Sequence, residues 1–243
     1  ALLIITLLLS KTSLAEPTFS ASSGKTQIAL LELYTSEGCS SCPPAEKLLG
    51  ELEDRGLPSS AVIPLALHVD YWDYIGWKDE FAKPAHTKRQ RRLGKINDLN
   101  TIYTPQFLLN GKDLRPVGLI AHRLPSINQQ IAEIKIDLSA SYTANDTLKV
   151  RWKIEPALPA SCRIFLVVTE SNLQTEIGAG ENQGRTLNHD HVVRSINQSA
   201  ANSPNDFVSI PIAAELKRNN LDLIAFVEDK NGRVLQTLKL PLH

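Results

Sequence analysis

Cys39-Ser40-Ser41-Cys42 holds the residue types best suited to chemistry in this chain. The pair follows the apolar run Ile28-Ala29-Leu30-Leu31-Glu32-Leu33-Tyr34. It precedes Pro43-Pro44-Ala45-Glu46-Lys47-Leu48-Leu49, whose pattern predicts a helix. Two cysteines three apart at a helix start can close a small disulfide ring. A helix N-terminus offers unpaired N–H groups and about half a positive charge, which favours a thiolate on the first cysteine. The thiolate, not the thiol, attacks disulfides. Cys39 is therefore the expected attacking sulfur, nearer the helix end and more exposed, and Cys42 the resolving thiol. Two other readings fit the same residues. One is an inert structural disulfide. The other is a metal site, although no second Cys-x-x-Cys and no His pair at zinc spacing accompanies the motif.

His68, Asp70 and Asp73 stand at the C-terminal end of a predicted strand, Val62 to Asp70, where open α/β sheets place their ligand crevices. His68 and Asp70 lie two apart and so share a strand face. They would tune thiol ionisation or join Cys39 on a metal; the competing reading is a hydrogen-bonded turn. Tyr71, Trp72, Tyr74 and Trp77 would dock a polypeptide if exposed and would be core packing if buried. Lys88-Arg89-Gln90-Arg91-Arg92 reads as the solvated face of a helix. The chain carries 26 Lys and Arg against 26 Asp and Glu, and this zero balance argues against broad electrostatic capture of nucleic acid or anionic membrane. Gly24-Lys25-Thr26 lacks the earlier glycine and the preceding strand of a phosphate loop. His189-Asp190-His191 reads as a polar turn rather than a metal clip, and Cys162 as a small buried apolar residue. No cofactor and no metal is expected from these patterns.

These side chains need elements to hold them. The strand before Cys39, the helix after Cys42 and the strand ending near His68 make a β-α-β unit, which predicts two parallel strands. A helix rich in Lys and Arg follows, from about Glu80 to Gly94. Tyr103-Thr104-Pro105-Gln106 opens a strand through Leu109, and Asn110-Gly111 signals a hairpin whose return strand runs near Leu114 to Val117. A helix from about Ala121 to Ile134 closes this part. From Ile136 onward, short alternating strands with turns between them suggest a β-sandwich. At the other end, Ala1 to Leu9 has the length of a signal-peptide apolar region and Ser13-Leu14-Ala15 suits cleavage before Glu16. The expected organisation is a signal peptide over 1–15, a linker over 16–26, and domains over 27–136 and 137–243. Export would place the protein in the periplasm or outside the cell, where disulfides persist, with no stable membrane insertion after cleavage.

The element order, with Cys-x-x-Cys opening the first helix, resembles the thioredoxin fold. More specifically, the segments Leu33 to Ala45 and His68 to Asp79, with Arg89-Gln90-Arg91 and Tyr103-Thr104-Pro105-Gln106, resemble the DUF1223 family of exported bacterial proteins. Gly180 to Leu187 and His191 to Arg194 are similar to that family more loosely. The resemblance implies an α/β thioredoxin-like N-terminal domain followed by an all-β, β-sandwich-like C-terminal domain. It also implies a cis peptide before Pro105, beside the disulfide, with the backbone of Thr104 available to an extended peptide or partner thiol. The activity that follows is thiol–disulfide exchange with a polypeptide or small-thiol redox partner. A non-catalytic binding module with a structural disulfide and a metallochaperone are the rivals. Two positions depart from the thioredoxin pattern. Leu33 stands where a buried carboxylate is usual, with Glu32 on the opposite strand face, and Ser-Ser replaces Gly-Pro between the cysteines.

Overall fold

Alternating and continuous apolar runs make strands the commonest element of this chain. The structure, a computed structural model, describes residues 18–203 and 207–243. The segment assigned to export, 1–15, and the start of the expected linker lie outside the described residues. In chain order the elements are β1 (Thr18–Ser22), β2 (Ala29–Thr35), α1 (Pro43–Gly50), β3 (Val62–His68), α2 (Pro84–Ile96), β4 (Gln106–Leu109), β5 (Lys112–Asp113), α3 (Ile120–Asn128), β6 (Lys135–Tyr142) and β7 (Thr147–Glu155). They continue with β8 (Arg163–Glu170), β9 (Leu173–Glu176), β10 (Thr186–His189), β11 (Val192–Ala200), β12 (Phe207–Pro211), β13 (Leu221–Glu228) and β14 (Val234–Pro241).

The principal sheet has eight strands in the order β14-β13-β8-β11-β3-β2-β4-β5. β2 and β3 run parallel, Ala29 opposite Val62 through Thr35 opposite His68. β4 is antiparallel to β2, with Gln106 opposite Tyr34. On its other edge β3 pairs in parallel with β11, Val192 opposite Ala66. One sheet therefore runs unbroken from the first half of the chain into the second. This corrects the expectation of an α/β thioredoxin-like domain followed by an all-β domain. Strand residues far outnumber helical ones, and the parallel β2–β3 pair is one part of a mixed sheet. The sequence shows a local β-α-β unit. It does not show that a strand more than 120 residues later takes the free edge of β3.

The three cores follow from strand alternation. Ala29, Leu31 and Leu33 of β2 face α1 and α3 and pack with Ala45, Leu49 and Leu124. Leu30 and Tyr34 face the other way and join Leu65, Leu67, Phe165 and Phe226 against Leu93 of α2. A second sheet, β1-β6-β7-β12, packs its inward residues Ile136, Leu138, Val150 and Trp152 on Ile164, Leu166, Leu223 and Val227 of the principal sheet. Sheet-on-sheet packing of this kind makes a sandwich layer. β1 lies where a linker was expected, and it pairs with β6.

α2 is not a wholly solvated basic face. Arg89 is buried and binds Glu32 of β2 in two-pronged fashion at 2.6 and 3.1 Å. It also pairs with Glu228 of β13 at 2.9 Å and lies 4.8 and 5.1 Å from the ring centres of Phe165 and Phe226. The guanidinium thus bolts α2 to strands from both halves. α2 starts later than the sequence suggests, at a proline that suits a first turn, and α3 ends earlier, at Asn128. The Asn110-Gly111 turn does form, with φ of 48° and 79°, but its return strand is the short β5. Gly111 is required there: a Cβ would lie 1.9 Å from the carbonyl oxygen of Gly232, in the β13–β14 turn.

Candidate functional site

β2 ends at Thr35 and the chain turns through Ser36-Glu37-Gly38 into the cysteines. The Cys39 amide donates to the Ser36 carbonyl at 3.1 Å, and the Cys42 amide to the Cys39 carbonyl at 3.1 Å. Cys39 and Cys42 are joined as a disulfide with Cα atoms 5.4 Å apart. Cys42 caps α1, and Pro43 and Pro44 fill its first two positions. Prolines carry no N–H, so two of the donors expected from this helix start are missing and the helix dipole remains. The Ser41 hydroxyl lies 3.3 Å from Cys39 Sγ. Both cysteines are buried, Cys39 at 1% and Cys42 at 0% exposure. The expected exposure of Cys39 is therefore corrected.

The cover comes from the loop between β9 and β10. Asn182 is fully buried and its amide donates to the carbonyls of Glu37 at 2.8 Å and Cys39 at 3.1 Å. The Glu181 carboxylate accepts from the Ser40 amide at 3.0 Å. Sequence alternation cannot show this contact, because the covering residues lie about 140 positions from the cysteines.

Of the aromatic run, Tyr74 alone is largely exposed, at 82%. The Trp72 indole donates to the Thr104 hydroxyl at 2.7 Å, and the Trp77 indole to Glu37 at 2.8 Å. Trp77 also lies so close to Gly178 and Gly180 that a Cβ there would be 3.3 and 3.2 Å from it. These rings tie loops together. Tyr71 and Trp72 also pack, partly buried, against the core on the α2 side of the sheet. Thr104 and Pro105 precede β4, whose Gln106 pairs with Tyr34, so they stand at the end of the sheet where β2 leaves for the cysteines. The Thr104–Pro105 peptide is cis, as are Arg115–Pro116 and Glu155–Pro156.

The structure separates His68 from Asp70. β3 ends at His68, and strand alternation stops with it. Asp70 turns to the Thr87 hydroxyl on α2, at 2.5 Å, and Asp73 accepts from the Asp79 amide at 3.4 Å. His68 is buried and its Nδ1 lies 2.7 Å from Asp79 Oδ2. The same oxygen accepts the Glu37 amide at 2.9 Å. Burial pulls the His68 pKa down, but Asp79 more than offsets this and raises it.

His189, expected in a polar turn, is instead buried on β10. Its Nδ1 lies 2.5 Å from Glu46 Oε2 and its Nε2 lies 3.1 Å from Glu37 Oε1. Burial opposes its charge, and the two carboxylates override burial and hold the ring at a pKa of about 10. Glu46 also accepts the Thr35 hydroxyl at 2.5 Å. The His68 and His189 rings sit 5.3 Å apart, with Phe81 against both. A signal for this cluster does exist in the sequence: His189 is two residues from Leu187, so both share the inward face of a strand. Glu37 and Glu46, which bracket the cysteines, carry none.

Among the described residues no helix is long and apolar enough to cross a membrane. A family model described as a protein of unknown function, DUF1223, matches residues 30–228. No curated protein matches the chain. Among solved structures, the fold is similar to the crystal structure of a protein from Agrobacterium tumefaciens, 22% identical, TM-score 0.62, over 91% of this chain and 97% of that one. It is also similar to HBP35 of Porphyromonas gingivalis, 16% identical, TM-score 0.61, over 90% of this chain and 76% of that one. At these identities the likeness concerns the fold alone.

Proposed function

The chain belongs to the DUF1223 family, whose function is unknown, and we propose that it is an exported thiol–disulfide redox protein acting through Cys39 and Cys42. The observation that carries this reading is the placement of the pair: at the start of α1, with the Ser41 hydroxyl 3.3 Å from Cys39 Sγ. A hydroxyl there stabilises a thiolate when the disulfide is reduced. The alternative role of a staple suits the pair poorly. A ring closed over four residues limits the unfolded chain by about 2 kcal/mol, against about 4.7 for one of 100 residues. The junction it spans is already held by the amide bonds of Cys39, Cys42 and Ala45.

The exchange runs in two steps. The Cys39 thiolate attacks a partner disulfide, forms a mixed disulfide and releases one partner thiolate. The Cys42 thiolate then attacks Cys39 Sγ and releases the second. The partner gains two electrons and two protons, and Cys39–Cys42 is restored; the reverse sequence oxidises a dithiol. Thr104 and Pro105 would receive the partner's backbone at the end of β4. Both sulfurs are covered, so turnover requires the Asn182 loop to move and suits a small thiol or an extended polypeptide.

Burial of both sulfurs favours a second reading, a binding module whose disulfide is permanent. The reduction potential measured against glutathione decides between them. A value between about −120 and −270 mV supports exchange, and one below about −300 mV supports the permanent disulfide. Cys42→Ser should also accumulate mixed disulfides with partners through Cys39, and Cys39→Ser should not.

A further inference from the structure

The thiol chemistry leaves the buried polar cluster beside α1 unused. We propose that Glu46, His68 and His189 bind a divalent transition-metal ion of the zinc class. One ligand atom from each lies within 4.8 Å of the other two. They come from α1, β3 and β10, far apart in sequence and joined only by the fold.

His68 and Glu46 each have one polar atom fixed from behind. His68 Nδ1 is held by Asp79, which leaves Nε2 as its ligand atom. His68 is fully buried, and that Nε2 has no hydrogen-bond partner among the described residues. A buried ring nitrogen left without a partner is costly, and metal ligation removes the cost. His189 Nε2 lies 3.1 Å from Glu37 Oε1, and its Nδ1 meets Glu46 Oε2 at 2.5 Å; a metal ion held by both of these atoms replaces the proton between them, which leaves to solvent. The other Glu46 oxygen accepts the Thr35 hydroxyl. Ligating histidines and carboxylates are oriented in this way, with the remote atom tied to a carboxylate or other polar group.

Two imidazoles and one carboxylate with a fourth position open form a donor set used for Zn²⁺ and for Fe²⁺. With bonds of roughly 2.0–2.2 Å to such an ion, the three side chains need to shift by about an ångström. A groove between α1 and β10, lined by Lys47, Gly50, Asn188 and Asp190, reaches Glu46 and offers an entry path. No cysteine takes part, so the site stands independently of the redox reading.

The test uses the untagged chain with its disulfide intact, stripped by a chelator, so that no thiolate can act as ligand. Titration with Co²⁺ should give one ion per chain with the visible bands of a four- or five-coordinate ion, displaced by one Zn²⁺. His68→Gln and Glu46→Gln should each weaken Zn²⁺ binding by at least about 100-fold, and Asp79→Asn by roughly 10- to 100-fold. If a variant fails to fold, the wild-type Co²⁺ spectrum decides alone. Absence of binding, an octahedral spectrum, Zn²⁺ affinity unchanged in folded His68→Gln, or binding that appears only after the cysteines are reduced would each overturn the proposal.

Discussion

Asn182→Ala isolates the cover over the disulfide. The Asn182 amide supplies hydrogen bonds of 2.8 and 3.1 Å to the carbonyls of Glu37 and Cys39, and its side-chain oxygen accepts from Arg185 at 2.8 Å. Each of the two bonds to the cysteine loop contributes about 1 kcal/mol net. Their loss should bring the open form of this loop about 2 kcal/mol closer to the closed one. At tenfold per 1.4 kcal/mol that is roughly a 30-fold rise in the open population. When opening and closing are fast relative to the thiol reaction, reduction by dithiothreitol tracks this population. The assay is the pseudo-first-order rate of disulfide reduction, read by thiol labelling and mass, with circular dichroism confirming that the rest of the fold persists. Glu181→Ala removes only an exposed contact to Ser40 and serves as control, with a change below about threefold. A rate for Asn182→Ala within twofold of wild type would refute the reasoning that this loop governs access to the sulfurs.

Arg89→Met should destabilise the protein by about 3–5 kcal/mol in urea unfolding, because it strands the buried carboxylate of Glu32 and leaves Glu228 with Arg92 alone; a loss below about 1 kcal/mol would show that the pairs are dispensable. Gly111→Ala should cost more than Gly232→Ala in the same assay. Both need positive φ, which costs about 1–2 kcal/mol for alanine, but at Gly111 the new Cβ meets backbone at 1.9 Å whereas at Gly232 it meets the side chains of Leu93 and Ile96 at 3.0 and 3.2 Å. Asp113 accepts from Tyr103, Gln106 and Arg115; burial raises its pKa, and these bonds more than offset that and lower it. A carboxylate with a depressed folded pKa contributes stability that is present above its unfolded value, near 4, and is lost as pH falls through the folded one. Asp113→Asn should therefore lower stability at pH 7 and flatten the acid limb below about pH 4, as measured by urea midpoints across that range.

Much of the local structure was legible because short-range rules set it. Alternation foretold short strands from Ile136 onward, and β6 and β7 alternate inward and outward residues; Asn110-Gly111 marked a turn through its need for positive φ. The Cys39–Cys42 pairing also followed from spacing at a helix start. Short elements failed. β9 and β10 have four residues each, too few for alternation to stand out, and β1 was hidden in a Ser- and Thr-rich stretch. Arg89 misled because Lys88, Arg91 and Arg92 around it are exposed while its own side chain is paired inside.

The sequence by itself determined where the sulfurs sit along the chain, which residues turn it, and which faces of its strands are apolar, since each depends on neighbours within a few positions. Tertiary structure alone decided that β11 takes the free edge of β3 and merges the two halves into one sheet. It also decided that Asn182 covers the cysteines, and that Glu37, Glu46, His68, Asp79 and His189 meet in one buried cluster. The reason is physical. Buried charges and polar groups persist only with partners, and for Asn182 and His189 those partners lie more than a hundred residues away, brought together by packing of apolar faces that no local pattern pairs.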